Sequence, residues 1–555
     1  MAVFSAFRHM KHALRLFHTI RHLRVRQILY RLYYRWQHLA VPSLQSQTQA
    51  RIWTQNWHSP QWQSPCMSVD GQFKFLNEAG HVNSPKDWND PTKAKLWLYH
   101  LHYLDELNTQ NANNRVNALN RLIDRWMDDN PALHGNGWEP YPLSLRLVNL
   151  VKWQMRQHYR GSRLLDSIRQ QATVLSRQIE YHIMANHLFA NAKALVFVGA
   201  VLADGDQFLQ YGLDILDTEI SAQFLADGGH FEFSPMYHAT LLWDLCDLVN
   251  LANISALTSL QSRAADWSKI IQSGLIWLAH MCHPDGDIAF FNDSTLGVAP
   301  RYANLCQYAS MLDIPYSRAN ASPLAVAHLN ASGYISIKFG SVAKLILDVG
   351  QIGPDYQPGH AHADTLSFEL SLFGQRVFVN SGISQYETGV QREYQRGTRA
   401  HNTVVIDGVN SSDVWGSFRV GRRAQPEQLR LKHTNEQVTV NCSHNGYRSL
   451  FKPLTHMRQW QLTQRHCQII DTLSGNYQQA EARYHLHPDV QIKQCGIDCF
   501  KLTLPTGESV SIQLTHHATV YIENTQWHPG FNLTRANHCL IVTCTQQPLF
   551  IDITW

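Results

Sequence analysis

No aspartate or glutamate precedes Asp70, yet that stretch holds Arg8, Lys11, Arg15, Arg21, Arg24, Arg26, Arg31, Arg35 and Arg51. The whole 555-residue chain carries a net charge of only +4, so everything after this basic segment is net acidic. Long apolar runs are also missing. Ala194–Leu202 is the longest candidate and Asp204 soon follows, which falls short of the roughly eighteen apolar residues of a spanning helix. A secretory signal is not recognisable, because Arg and His interrupt the apolar residues of the leading segment throughout. The ten cysteines lack paired spacing; Cys495 and Cys499 lie close together, but no second pair completes a zinc site. A disulfide framework is not expected at this chain length, and buried free thiols are. No Gly-x-Gly-x-x-Gly or Walker pattern occurs, so nothing invites a nucleotide cofactor or phosphoryl transfer.

What is present divides into three parts. Phe4, Phe7, Leu14, Phe17, Ile20, Ile28, Leu32 and Tyr33 recur at helical spacing through the basic segment. That predicts a basic helical arm over residues 1–70, either packed on the main body or touching an anionic lipid or polymer. Apolar residues then recur every three or four positions in Leu96–Leu107, Leu143–Met155, Leu164–Ile183, Ala192–Leu202, Phe208–Phe224, Ala239–Leu251 and Trp267–Met281. Many similar helices joined by short polar turns predict stacked antiparallel hairpins, a toroid with a cleft on one face, over residues 71–322. From about Ser332 the period becomes two. Tyr334–Lys338, Thr365–Leu372, Thr403–Ile406 and further short runs to Phe550–Thr554 predict an antiparallel β-sandwich over residues 323–555.

The densest chemistry is Gly359-His360-Ala361-His362-Ala363-Asp364-Thr365-Leu366-Ser367-Phe368-Glu369-Leu370. Positions i and i+2 of a strand share a face, so His360 and His362 are expected at the mouth of a strand anchored by Leu366, Phe368 and Leu370. Ala400-His401-Asn402-Thr403-Val404 has the same form. His362 and His401 invite a metal reading, with an oxygen ligand from Asn380, beside the plainer reading of hydrogen-bonded histidines.

The helical part adds polar clusters. Asn186-His187 stands at a helix start, where Asn also suits a cap. Gly228-Gly229-His230-Phe231-Glu232-Phe233-Ser234-Pro235-Met236-Tyr237 delivers His, Glu and Tyr around a turn. Trp138-Glu139-Pro140-Tyr141 with Arg146 sets aromatic rings, which stack on sugar faces, beside a group that binds carboxylate or sulfate. Phe291-Asn292-Asp293-Ser294 is a further polar loop. Clusters of Asn, His, Tyr and Arg suit β-elimination on a uronic acid. The carboxylate must be neutralised, C5 must lose a proton to a base, and the departing C4 oxygen needs an acid. An inverting glycosidase would need two carboxylates flanking the bond, for which Glu139, Asp227, Glu232 and Asp293 are the candidates.

From about Asp87 to Trp555 the chain resembles the heparinase II/III-like polysaccharide lyases, which include alginate and oligoalginate lyases. The Gly-His-Ala-His-Ala-Asp-x-Leu-Ser-Phe-Glu-Leu and Ala-His-Asn-Thr-Val segments carry the resemblance, with Trp-Glu-Pro-Tyr-Pro, Asn-His and Gly-Gly-His-Phe-Glu in order. It implies an incomplete (α/α) toroid followed by a C-terminal antiparallel β-sandwich, with the site between them. It also implies catalytic roles for Asn186, His187, Tyr237 and His360, with Glu232 and Arg146 as positioning groups; beside it, the residue types themselves make Trp138, Tyr141, Arg146, Glu232 and Asn292 the expected substrate contacts. His362, Asn380 and His401 would hold one structural divalent cation, zinc or calcium. The expected substrate is an anionic, uronate-containing polysaccharide, with no nucleic acid involved. A uronate C5-epimerase and a non-catalytic polysaccharide-binding relative are the alternatives. Relatives act mostly in the periplasm or at the cell envelope, whereas the basic start with no export signal suits the cytoplasm or the inner membrane surface.

Overall fold

The computed structural model describes residues 12–43, 47–53, 57–58, 60–316, 324–448, 453–515, 518–544 and 548–555. Phe4, Phe7, Arg8 and Lys11 of the basic arm therefore lie outside the described residues. Twelve α-helices are present among those described: α1 (residues 12–20), α2 (Val25–Trp36), α3 (Lys95–Tyr103), α4 (Val116–Asp129), α5 (Pro140–Met155), α6 (Arg163–Ser176), α7 (Ala185–Val201), α8 (Asp206–Gln223), α9 (Pro235–Ile254), α10 (Thr258–Met281), α11 (Tyr302–Met311) and α12 (Val390–Arg396). No described helix is long and apolar enough to cross a membrane.

Helices α3 to α11 form the toroid. Its centre is α7, buried on every side except at His187, which is why its sequence is apolar all round rather than striped. It packs on α5 and α8, and α9 packs on α10. The α7–α8 approach requires glycine: a Cβ on Gly212 would sit 2.7 Å from the Ala192 carbonyl oxygen. Helix α4 falls outside every helical window expected from the sequence. Its buried Leu119, Leu122, Ile123 and Trp126 form an i, i+3, i+4, i+7 stripe, interrupted by Asn, Arg and Asp on the solvent face. A hairpin pairing Gln72–Phe75 with Glu78–His81 was likewise not expected.

Helix gives way to strand between Met311 and Leu324. An eight-stranded antiparallel sheet forms one layer of the sandwich. The other layer joins a five-stranded sheet, from Leu324–Leu329 to Gln375–Phe378, to a four-stranded sheet through a bridge between Phe378 and Leu486. Ile335, Leu345, Phe368, Val404, Trp460, Ile469 and Ile551 fill the space between the layers. The outer face of the five-stranded sheet packs on the helices, so Tyr334, Ile346 and Val379 belong to the helical core. Trp277 of α10 donates its indole N–H to Ser332 at 2.8 Å across this junction.

The arm, α1 and α2, docks on both halves. Arg15 makes a two-pronged contact with Asp413 (3.0 and 2.8 Å), and Gln37 donates to the Arg177 carbonyl at 2.9 Å.

Candidate active site

The site is assembled from three loops that meet where the helices face the sandwich. The turn before α9 ends in Ser234, whose hydroxyl accepts the Tyr237 backbone N–H (3.2 Å) and donates to the Asp293 carbonyl (2.6 Å). This cap fixes Tyr237 in the first turn of α9 and ties that turn to the Asn292–Ser294 loop. Several residues here hold left-handed backbone without being glycine: Met184 and Ala185 beside Asn186, Phe233 beside Glu232, and Asn292 beside Asp293. Such conformations cost roughly 1–3 kcal/mol each and persist where the surroundings over-determine them.

His360 and His362 do converge, though not by strand alternation. Leu366 is left-handed (φ 64°) and the strand begins only at Phe368. Both imidazoles instead lie in the preceding loop and share one carboxylate. Asp293 accepts His360 Nδ1–H at 2.9 Å and His362 Nε2–H at 2.8 Å, and Arg392 grips both its oxygens (2.5 and 2.7 Å). Burial alone would raise the Asp293 carboxyl, but Arg392 and the two imidazoles overcome it and hold it well below the usual carboxylate range. Asp293 is therefore ionised, and both histidines carry their protons on the nitrogens that face it.

The His360 ring lies against that of Tyr237, with centroids 3.8 Å apart and planes 28° from parallel. The Tyr237 hydroxyl meets the Tyr386 hydroxyl at 3.0 Å. Burial, followed by the Tyr386 phenol, pushes the Tyr237 pKa well above 10, so this phenol rests protonated. On its other edge His360 Nε2 stands 3.3 Å from Glu232, which accepts the Asn186 backbone N–H at 3.4 Å. Burial raises the Glu232 pKa, with His360 pulling the other way. Asn186, Tyr237 and His360 thus belong to one chain of contacts. His187 leans on the Tyr141 ring (4.3 Å) and bonds Glu180 at 3.0 Å. Burial works against its charge, but Glu180 wins and its pKa is raised.

A cavity opens beside Tyr237, walled by Tyr141, Tyr386 and Trp243 and floored by Lys152 and Lys193. Both lysines are paired with Asp247, and Lys193 also with Asp244. Of the expected site residues, Tyr141 and Tyr237 line this cavity and His360 stacks on one of its walls.

Other expected residues are placed differently. Trp138 is buried with its N–H on the Asn130 carbonyl. Arg146 is wholly buried, bonded to Gln171 (2.9 Å) and laid over the Trp126 ring (3.8 Å). Neither lines the cavity; burial beneath other aromatic rings turns them into core members. Asn292 spends its side chain on the Phe233 carbonyl and the His362 N–H (both 3.0 Å), so it ties loops together rather than facing a ligand. The expected metal ligand Asn380 gives its side-chain oxygen to the Asn402 N–H at 3.1 Å. Asp364 instead stands beside the two histidines: with His362 and His401 it offers three atoms that could ligate, within 4.8 Å of one another. His362 Nδ1 and His401 Nε2 are 3.1 Å apart, and burial drives both imidazoles toward the neutral, ligating form. The donor set fits a divalent cation.

Residues missed by sequence reasoning are Tyr386, Arg392 and Glu180. Asp293 was visible there only as a hydrolase candidate.

Two family models match the chain: Heparinase II/III N-terminus over residues 158–315 and Heparinase II/III-like, C-terminal over residues 321–549. A protein named heparin-sulfate lyase from Bacteroides stercoris is 24% identical over 292 residues, which is 48% of this chain and 43% of that protein. FtsZ-localized protein C of Caulobacter vibrioides is 24% identical over 465 residues, 78% of this chain and 76% of its own. The crystal structure of heparinase III superposes with a TM-score of 0.67 at 16% identity, over 88% of this chain and 80% of that one. The chain spans less than half the length of the heparin-sulfate lyases from B. stercoris and Pedobacter heparinus. A helical toroid joined to a sandwich, with a family model matching in each half, establishes that the chain belongs to the heparinase II/III-like family.

Proposed function

We propose that the protein cleaves a uronic-acid-containing, anionic polysaccharide by β-elimination. The observation that carries this reading is the stacked Tyr237–His360 pair on the cavity wall, backed by ionised Asp293. With its Nδ1 proton committed to Asp293, His360 offers Nε2, which rests 3.3 Å from Glu232, as the nitrogen that takes the C5 proton once substrate displaces that contact. The electrons of that C–H bond form the C4–C5 double bond as the C4–O bond breaks. Tyr237, protonated at rest, gives its proton to the departing oxygen. His187, charged through Glu180, and the amide of Asn186 neutralise the uronate carboxylate, which lowers the cost of the carbanion-like transition state. Lyase names among the relatives support the same substrate class.

His362, Asp364 and His401 would hold a divalent cation, and two imidazoles with one carboxylate favour zinc over calcium. Bound there, it would supply a rigid anchor for the His360 loop.

FtsZ-localized protein C, aligned over 78% of this chain, does not carry a lyase name, whereas a relative aligned over 66% is named heparin-sulfate lyase; the first of these keeps a non-catalytic polymer-binding protein as the second reading. Incubation with a panel of uronate polymers in heavy water, followed by product mass spectrometry, tests both. Unsaturated products absorbing in the ultraviolet are expected. Deuterium at C5 in an uncut chain would make the protein an epimerase. Binding without turnover, unchanged in Tyr237→Phe, would leave the second reading standing.

A further inference from the structure

The arm is an amphipathic element mounted with its polar side inward. Gln27 of α2 is 1% exposed and donates to the Tyr356 carbonyl at 3.1 Å. Arg24 lies over the Tyr356 ring and Arg26 over Tyr181, each at 3.7 Å, and the Tyr34 hydroxyl reaches the Ile179 carbonyl. Turned outward are Val25 (71% exposed), Leu29 (59%), Leu32 (53%) and Trp36 (77%). They fall at i, i+4, i+7 and i+11, one continuous stripe along the helix. Leu14 and Phe17 of α1 are likewise exposed (52% and 60%). Arg21, Arg31 and Arg35 flank these residues in solvent, and the segment has no acidic residue to offset them.

We infer that α1 and α2 lay this outward face on an anionic lipid surface. Two features together select that occupant. The arginines complement negative headgroups, and the apolar stripe gains only where hydrocarbon receives it. A hydrated polyanion such as the proposed substrate would satisfy the arginines and leave Leu29 and Trp36 in water. A second copy of the chain would cover the stripe but bring arginine against arginine. The arm is anchored to the toroid through Tyr181 and Ile179 and to the sandwich through Asp413, so the surface would hold the whole molecule in one orientation.

The test is sedimentation of the full chain with vesicles of neutral phospholipid alone or mixed with about a third anionic phospholipid. Binding to the mixed vesicles at least ~10-fold tighter than to neutral ones is expected, weakening with added salt. Leu29→Gln with Trp36→Gln, and separately Arg31→Glu with Arg35→Glu, should each lower it ~10-fold or more while thermal unfolding stays unchanged. No binding to anionic vesicles, or binding by either variant as tight as that of the unaltered chain, overturns the inference. So does light scattering that shows a dimer abolished by the Leu29/Trp36 variant, which would assign the face to a second copy. None of these readouts depends on catalysis.

Discussion

The molecule contains the same ion cluster twice. Beside the cleft, Asp293 takes a forked arginine, Arg392, and two imidazoles, one of which passes a contact on to His401. Inside the sandwich, Asp471 takes a forked arginine, Arg458, and His456, which passes a contact on to His444. Both aspartates are depressed, Asp471 to about 2, because their arginine and histidine partners outweigh burial. The difference is access. His456 is 0% exposed within its sheet, whereas His360 keeps 9% and lies on a tyrosine that lines a cavity. An Asp–Arg–His cluster is thus first a way to hold loops or strands in register. It gains chemistry only where one imidazole edge reaches a ligand.

The largest effect should separate the two histidines. His360→Gln is expected to lower kcat by ~10²–10⁴-fold, and His456→Gln to leave turnover per folded molecule unchanged, both measured as unsaturated product against the folded fraction. Equal losses would erase the distinction. Next, Asp293→Asn and Asp471→Asn should each destabilise by about 3–5 kcal/mol in urea unfolding, because each strands a buried arginine; only the first should also abolish turnover. A smaller effect is acid sensitivity. Both carboxyls have folded pKa values below the unfolded value of about 3.9. Their contribution is complete above that value and lost as pH falls through the depressed ones. The urea midpoint should drop as pH falls from about 4 toward about 2, and drop less in Asp471→Asn. The smallest sits at His187. Its raised pKa keeps it charged past the ordinary histidine range, so kcat/KM should decline as pH climbs through that raised value. His187→Gln should flatten this limb at a cost of roughly fivefold below it.

The sequence made the fold legible because both periodicities are strong, and α4 was legible in principle through its Leu119–Trp126 stripe. The site was legible only where its residues are close neighbours in the chain. Asp293 meets His360, His362 and Arg392 across separations of 67, 69 and 99 residues, so its part as a hub leaves no local pattern. Tyr386 meets Tyr237 across 149 residues and has no motif at all. Arg146 misled because an arginine at a loop–helix junction suggests an anion, whereas here Trp126 receives it inside the core.

The Tyr237–His360 stack also has a mechanical meaning. One ring hangs from α9 and the other from the loop ahead of Phe368, so the proposed acid and base ride on opposite jaws. A hinge opening of only a few ångströms would part them, and neither jaw expressed alone would contain both. If the proposed mechanism holds, turnover should report how firmly the jaws stay shut, and loosening the seam far from any sugar should slow it without touching a reacting group.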